Sequence, residues 1–93
     1  MPLGHRENTM FFTYIIQSQT SGKFYVGHTA NLDNRLREHN SGESKSTRNK
    51  GPWILVHSDP FATRSEAQKH EYEIKSKKSS ESIKRIILNS KAD

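Results

Sequence analysis

Short apolar runs separated by polar turns predict a small antiparallel sheet. The run from Phe11 to Ile16 is apolar at nearly every position, which is typical of a central strand covered on both faces. A polar turn at Gln17 to Lys23 leads into a second strand, Phe24 to His28, so the two strands form a hairpin. Pro52 to Val56 is a third strand, and its opening proline favours an edge position. The predicted strand order is second, first, third.

Helical spacing of apolar residues predicts three helices around this sheet. The first, Ala30 to Asn40, lies between the second and third strands. The second begins at a capping box that opens the segment Thr63 to Lys75. The third follows Ser79 or Ser80 and ends near Asn89. The predicted fold is therefore α+β, a three-stranded antiparallel sheet flanked by three helices in the order β-β-α-β-α-α.

Length and composition indicate one small domain. The chain has 93 residues, of which 1–9 are expected to be a flexible N-terminal extension, 10–89 the folded domain and 90–93 a C-terminal tail. The hydrophobic share is only 30%, but the regular periodicity argues against disorder. There is no cysteine, no long apolar run and no apolar centre of a secretion signal. We therefore expect a cytoplasmic protein without a membrane segment, and we favour a monomer.

Basic residues exceed acidic ones, 15 to 10, which gives a net charge of +5. Such a balance fits either an ordinary solvated surface or a surface that binds nucleic acid. The segment Ser41 to Gly51 is predicted to be a flexible loop, and it carries Lys45, Arg48 and Lys50. We expect this loop to be mobile and to contact phosphates. The alternative is that it is a solvated connection between two elements.

Three polar residues fall where the helical pattern calls for apolar ones. Arg35 and His39 border or continue the inward stripe of the first helix, and Glu71 lies inward on the second. A hydrogen-bonded core histidine and an Arg35–Glu71 ion pair are the structural alternatives. Together with Tyr14 and Tyr25 in the first two strands, however, these side chains could face one pocket. A carboxylate, a guanidinium, an imidazole and two phenols are suited to cleaving a phosphodiester.

The same residues give the chain its resemblance to a known family, the GIY-YIG nuclease domain. Phe12 to Tyr14 (F-T-Y) stands where that family has G-I-Y, and Tyr25 to Gly27 (Y-V-G) where it has Y-I-G. Arg35 matches the family arginine, and His39 a histidine of many members. Arg64 to Glu71 matches the segment whose last glutamate binds the metal. The sequence G-P-W-x-L-V is typical of the small stand-alone bacterial members, whose domain resembles the nuclease of an excision-repair incision subunit.

This resemblance implies an endonuclease that hydrolyses DNA with one divalent ion, Mg²⁺ or Mn²⁺, in DNA repair or processing. Glu71 would bind the metal, Arg35 the scissile phosphate, and His39 and the tyrosines would handle protons. The sequence departs from the family at Phe12, which replaces a glycine. His28 stands where excision-repair members have a lysine, and we assign it, with the three basic loop residues, to DNA binding.

The chain carries no recognisable second DNA-binding domain, so selectivity is expected to be low and a protein partner could supply targeting. Two other functions remain open. One is a nucleic-acid-binding module of the same fold that has lost turnover. The other is a basic adaptor that binds a protein through its sheet edge.

Overall fold

Three antiparallel strands form the sheet in the computed structural model, which describes residues 10–77 and 79–91. Strand β1 (Phe11–Ser18) lies between β2 (Phe24–Thr29) and β3 (Trp53–Phe61), so the order is β2-β1-β3. The predicted topology is confirmed. In the register, Tyr14 of β1 lies opposite Gly27 of β2, and this pairing organises the site described below.

Strand β3 is longer than its sequence indicates. We predicted that it ends at Val56, but pairing with β1 continues to Phe61 and is interrupted by an irregularity at Ile15/Ile16. The prediction was wrong because the second half of β3 is polar and contains Pro60. An edge strand tolerates both features, since one side of its backbone needs no ladder partner.

Each helix begins at a side chain that caps its first turn. Helix α1 (Leu32–Ser41) starts at Asn31, whose side chain accepts a hydrogen bond from the Asn34 amide, and ends at the left-handed Gly42. Helix α2 (Arg64–Ser76) starts with the predicted capping box of Thr63 and Glu66. Helix α3 (Ser80–Lys91) is preceded by Ser79, whose hydroxyl accepts from the Glu81 amide.

The outer segments differ slightly from expectation. Residues 90 and 91 belong to α3 rather than to a tail. The predicted N-terminal extension, residues 1–9, and residues 92–93 lie outside the described part of the chain. Over the residues that are described, no helix has both the length and the apolar character needed to cross a membrane.

Each face of the sheet has its own apolar cluster, because neighbouring residues of β1 point to opposite sides. One cluster contains Tyr14, Ile16 and Trp53 and packs against the leucines of α1. The other contains Ile15 and Ile74, and the isoleucines of α3 pack against it. Helix α1 therefore covers one face, and α2 and α3 cover the other.

The segment after α1, which we predicted to be a flexible loop, is attached to the sheet at several points. Ser44 and Thr47 are buried, at 8% and 1% exposure. The Ser18 hydroxyl donates to the Lys50 carbonyl at 2.7 Å, and the Trp53 indole N–H donates to the Thr47 carbonyl at 3.2 Å. These side-chain contacts attach the segment to the sheet. Composition missed them because small hydroxyl residues are common in both solvated and packed loops.

Candidate active site

A glycine on β2 makes room for a phenol on β1. A Cβ atom placed on Gly27 would lie 2.5 Å from the hydroxyl oxygen of Tyr14 and 2.8 Å from its Cζ. These distances are shorter than real contacts of a Cβ atom, so no side chain fits at position 27 while Tyr14 is in place. The Tyr14 ring occupies the space that such a side chain would need. Tyr14 is 2% exposed, and its hydroxyl is held in one position at the β1–β2 pair.

His39 links this phenol to the loop that follows α1. Its Nε2 lies 2.8 Å from the Tyr14 hydroxyl oxygen, and its Nδ1 lies 2.8 Å from Oγ1 of Thr47. His39 is 2% exposed, as its position on the inward stripe of α1 predicted. Its ring also contacts that of Tyr25, with centroids 5.0 Å apart. It is thus a hydrogen-bonded core histidine that also touches both candidate tyrosines.

Arg35 completes this set from the preceding turn of α1. Its Nε donates to the Tyr14 hydroxyl at 3.4 Å, and its Nη1 donates to Glu38 at 2.7 Å. The ion pair between Arg35 and Glu71 that we considered as an alternative is therefore not formed. We call the connected residues Thr47, His39, Tyr14 and Arg35 the Tyr14 network.

Burial keeps the Tyr14 network uncharged apart from Arg35. Desolvation raises the pKa of Tyr14 to about 12, although the Arg35 guanidinium opposes the shift. Desolvation and the nearby Arg35 charge lower the pKa of His39 to about 4. The pKa of Arg35 is raised by its hydrogen bonds to Glu38 and Tyr14. At neutral pH the network is a phenol and a neutral imidazole beside a permanent cation.

Glu71 on α2 contacts two basic side chains. Its Oε1 lies 2.5 Å from Nδ1 of His28 on β2, and its Oε2 lies 2.6 Å from Nζ of Lys75, one turn along α2. Burial raises the pKa of the Glu71 carboxyl, but the hydrogen bonds from His28 and Lys75 outweigh that effect and the pKa lies below its usual value. We call His28, Glu71 and Lys75 the Glu71 cluster.

Tyr25 lies between the two groups. Its ring contacts His39 on one side, and the Lys75 ammonium lies 5.9 Å from its centroid on the other. The negative charge of Glu71 also contributes to the raised pKa of Tyr14. The five predicted catalytic residues are therefore linked through a series of contacts that runs from Arg35 through Tyr14, His39, Tyr25 and Lys75 to Glu71, and their chemical roles stay predictions. They do not share one cleft: the cleft of about 510 Å³ at the end of α1 is lined by His39 alone among the five.

The residues assigned to DNA binding lie in two separate parts of the structure. His28 binds Glu71 and so belongs to the carboxylate side of the site. The loop side chains Lys45, Arg48 and Lys50 are exposed, and Nε of Arg48 donates to the Gly42 carbonyl beyond α1. Their proposed contact with phosphates stays a prediction.

Sequence reasoning missed two members of the site. Lys75 follows Glu71 by four residues, a spacing that favours an ion pair on a helix and could have pointed to it. Thr47 gave no comparable signal, because it lies eight residues from His39 in an irregular segment. Only the folding of that segment onto α1 brings its hydroxyl to the imidazole.

A family model matches most of the chain. The model of the GIY-YIG catalytic domain matches residues 10–85, which include every residue of the Tyr14 network and the Glu71 cluster. The chain therefore belongs to the GIY-YIG family, a family of nuclease domains.

Small proteins called UPF0213 are among its relatives. The chain is 43% identical over 70 residues to a UPF0213 protein of Haloquadratum walsbyi, covering 74% of this chain and 78% of the relative. It is 34% identical over 76 residues to one of Staphylococcus haemolyticus, covering 81% and 92%. The solution NMR structure of the UPF0213 protein from Bacillus halodurans has a TM-score of 0.50 at 34% identity, covering 88% of this chain and 85% of that one.

Proposed function

We propose that this protein is a divalent-metal-dependent endonuclease that hydrolyses DNA phosphodiester bonds in the cytoplasm, in DNA repair or processing. The observation that carries the proposal is the meeting of two chemically different groups around Tyr25. A phenol held by an imidazole and a guanidinium lies on one side, and a carboxylate lies on the other. Phosphodiester cleavage needs a cation, a phosphate-binding group and a proton carrier at one point.

Arg35 is suited to hold the scissile phosphate. Its Nε is used by Tyr14 and its Nη1 by Glu38, so further N–H donors of the guanidinium remain for an anion. The carboxylate of Glu38 also holds the guanidinium plane in one orientation. Because the Arg35 side chain is already ordered, it loses less conformational entropy when it binds a phosphate. The Arg35 side chain is 36% exposed and can be reached by DNA.

Glu71 is the residue suited to hold the divalent ion. Within the described residues no group of three His, Cys, Asp or Glu side chains could hold a metal. A single carboxylate nonetheless fits Mg²⁺, which is often held by one or two carboxylates while waters and substrate phosphates complete the shell. The ion would stabilise negative charge that develops on the phosphate. The exposed Lys75 side chain would move away and leave one Glu71 oxygen free to bind the ion.

Tyr14 can carry the proton of the attacking water only when positive charge lowers its pKa from about 12. Arg35 is the resident part of that charge, because it already donates to the Tyr14 oxygen. The neutral His39 holds the phenol in place and can share its proton. The Tyr14 network therefore positions a phenol that would become active only when a further positive charge, such as a divalent ion, is added beside Arg35.

A second function has its own support. Both oxygens of Glu71 are engaged by basic side chains, so the carboxylate is already neutralised without a metal. This observation favours a nucleic-acid-binding module with weak or no turnover. In either case DNA is the proposed partner, the protein is proposed to act as a monomer, and a second protein could supply targeting.

Plasmid nicking and cleavage of flapped, branched and plain duplex DNA test the proposal. We expect cleavage with Mg²⁺ or Mn²⁺ that stops in EDTA and is lost in Tyr14→Phe. Salt-sensitive DNA binding without cleavage under any of these conditions would support the binding module instead. A protein that neither cuts nor binds DNA would leave only the adaptor function.

A further inference from the structure

Thr13 places a buried hydroxyl on the central strand, facing α2. It interrupts the apolar run of β1 and is 0% exposed. Its hydroxyl donates to the backbone carbonyl of Ala67 at 2.7 Å. In an α-helix that carbonyl already accepts from the amide four residues later, which is the amide of Glu71. The carbonyl therefore has a partner without Thr13, and a methyl group could fill the space of the hydroxyl.

Thr13 is the middle of a row of side chains that crosses all three strands. In the register, His28 of β2 and Asp59 of β3 lie opposite it on either side. Both also contact α2. Nδ1 of His28 lies 2.5 Å from the Glu71 carboxylate, and the Asp59 carboxylate lies 2.9 Å from Nε2 of His70. Helix α2 is thus attached to each strand of the sheet by a polar contact.

The three contact points lie on one face of α2, because Ala67, His70 and Glu71 follow the spacing i, i+3, i+4. His70 and Glu71 are consecutive, so their side chains leave the helix about 100° apart and reach different strands. The contacts of His70 with β3 and of Glu71 with β2 therefore oppose rotation of α2 about its axis. The bond from Thr13 to the helix backbone opposes sliding of α2 along the sheet.

The apolar contacts of α2 do not supply the same precision. Its buried residues Ala67 and Ile74 pack without a preferred direction, whereas a hydrogen bond is kept only at about 3 Å. Asp59 is itself held on β3, because its Oδ2 also lies 2.9 Å from Nε2 of His57. A functional side chain must stay within about 0.5 Å of its productive position. The row of polar contacts can hold Glu71 to that tolerance.

We infer that Thr13 and Asp59 are positioning residues, which hold α2 so that the Glu71 carboxylate lies beside His28. Thr13 acts through the backbone of α2, and Asp59 acts through His70. Their effect on cleavage rests on the proposed nuclease function, in which Glu71 holds the divalent ion. The position of Glu71 does not rest on that function, because it is a property of the free protein.

Proton NMR of the free protein tests this position. The nuclear Overhauser effect between the ring protons of His28 and the methylene protons of Glu71 falls steeply as the two side chains separate. Thr13→Val keeps the branched shape but removes the hydroxyl. We expect it to weaken this signal about twofold, as a shift of about 0.5 Å at such a contact would do. Thr13→Ser, which keeps the hydroxyl, should restore the wild-type signal.

Asp59→Ala is an independent second variant, and it is expected to fold because the Asp59 side chain is 35% exposed. It should weaken the same signal. Glu73→Gln is the matched control, since it removes the other acidic partner of His70, at 3.6 Å, and should leave the signal unchanged. An unchanged signal in Thr13→Val or in Asp59→Ala would overturn the inference for that residue. If Thr13→Val does not fold, Asp59→Ala and Thr13→Ser still decide it.

Cleavage separates positioning from a purely structural role. In Thr13→Val the rate should fall by about tenfold, within the loss of up to about 10²-fold that a small misplacement can cause. The Mg²⁺ concentration for half-maximal cleavage should rise, the KM for DNA should stay the same, and Thr13→Ser should rescue both losses. A lowered unfolding free energy with unchanged Mg²⁺ dependence would make Thr13 a structural residue only. The expected NMR signals from a protein that cuts no DNA would refute the proposed function and leave the positioning of Glu71 standing.

Discussion

The Tyr14 network and the Glu71 cluster lie on either side of Tyr25 but are built in opposite ways. Thr47, His39 and Tyr14 are each at most 2% exposed and are joined through neutral groups. The Glu71 cluster consists of short contacts between groups that can carry charge, and the Lys75 side chain is 50% exposed. A buried neutral network is costly to disturb, because any lost partner leaves an unsatisfied group. A partly exposed charged cluster exchanges partners at a lower cost.

This contrast indicates that the Tyr14 network and the Glu71 cluster have different roles in the protein. The Tyr14 network is part of the core of the α1 face and contributes to stability as well as to the site. We expect the Glu71 cluster to contribute less to stability than the Tyr14 network, which would suit the proposed exchange of a side chain for a metal ion. Variants on the two sides should therefore separate folding from cleavage.

The largest expected effect is on cleavage in Glu71→Gln. Removal of the charge should lower the rate by roughly 10²–10³-fold, because a bound metal contributes several kcal/mol of charge stabilisation. The free energy of unfolding should change by about 1 kcal/mol or less, since the partners of Glu71 are partly exposed. Nicking rates and urea unfolding on one preparation measure both quantities, and DNA binding should survive.

Glu73→Gln is the matched control for that variant. Glu73 is on the same helix, is 57% exposed and lies 3.6 Å from His70, so its loss should affect neither quantity. If Glu71→Gln unfolds early yet still cuts DNA in the cold, Glu71 is a structural residue and the metal proposal is wrong.

The next effect is on stability, in Gly27→Ala. The new methyl group would lie 2.5 Å from the Tyr14 oxygen, so the phenol must move. This movement would break the hydrogen bond between the Tyr14 hydroxyl and His39. We expect a loss of roughly 1–3 kcal/mol in unfolding free energy, as for other overpacked sites, together with a loss of cleavage. Tyr14→Phe in the same background removes the closest atom and should recover part of the stability. A Gly27→Ala protein as stable as wild type would contradict the described position of Tyr14.

A third effect concerns pH. The pKa of His39 is about 4 in the folded protein and near 6.5 when unfolded, so the unfolded chain binds more protons between these values. The resulting stability is fully present above about pH 6.5 and is lost as the pH falls toward 4, by on the order of 3 kcal/mol.

Urea unfolding across that pH range measures the loss of stability. Because Glu71 and Glu38 also have lowered pKa values, they add their own pH dependence, and His39→Gln serves as the reference that isolates the contribution of His39. The variant should show a shallower pH dependence than the wild type. An NMR titration that places the midpoint of folded His39 near 6.5 would show that the Tyr14 network is not desolvated.

The smallest expected effect is on DNA binding by the loop. Alanine at Lys45, Arg48 and Lys50 should weaken binding to every sequence alike and reduce the salt slope by as much as about 2.7, if each contacts one phosphate. Lys84 and Arg85, exposed on α3 on the other face of the sheet, serve as the control pair. An unchanged slope in the triple variant would make the loop a structural element only.

The sequence by itself determined the order and type of every element, because apolar periodicity and capping residues act locally. It indicated that His39 would be buried, since its spacing from Leu32 and Leu36 puts it on the inward stripe. The motif resemblance named the five candidate catalytic residues, whose roles stay predictions. The sequence did not determine the length of β3, where edge pairing overrides a polar sequence that contains Pro60.

The partners of each side chain were decided by the tertiary structure. Arg35 pairs with Glu38 rather than Glu71, because α1 and α2 lie on opposite faces of the sheet. His28 binds Glu71, and Thr47 reaches His39, across 43 and 8 residues of chain. Helical and strand periods specify which face a residue occupies, but hydrogen bonds depend on distances of about 3 Å. Those distances exist only after the loop, α1 and the sheet have packed together.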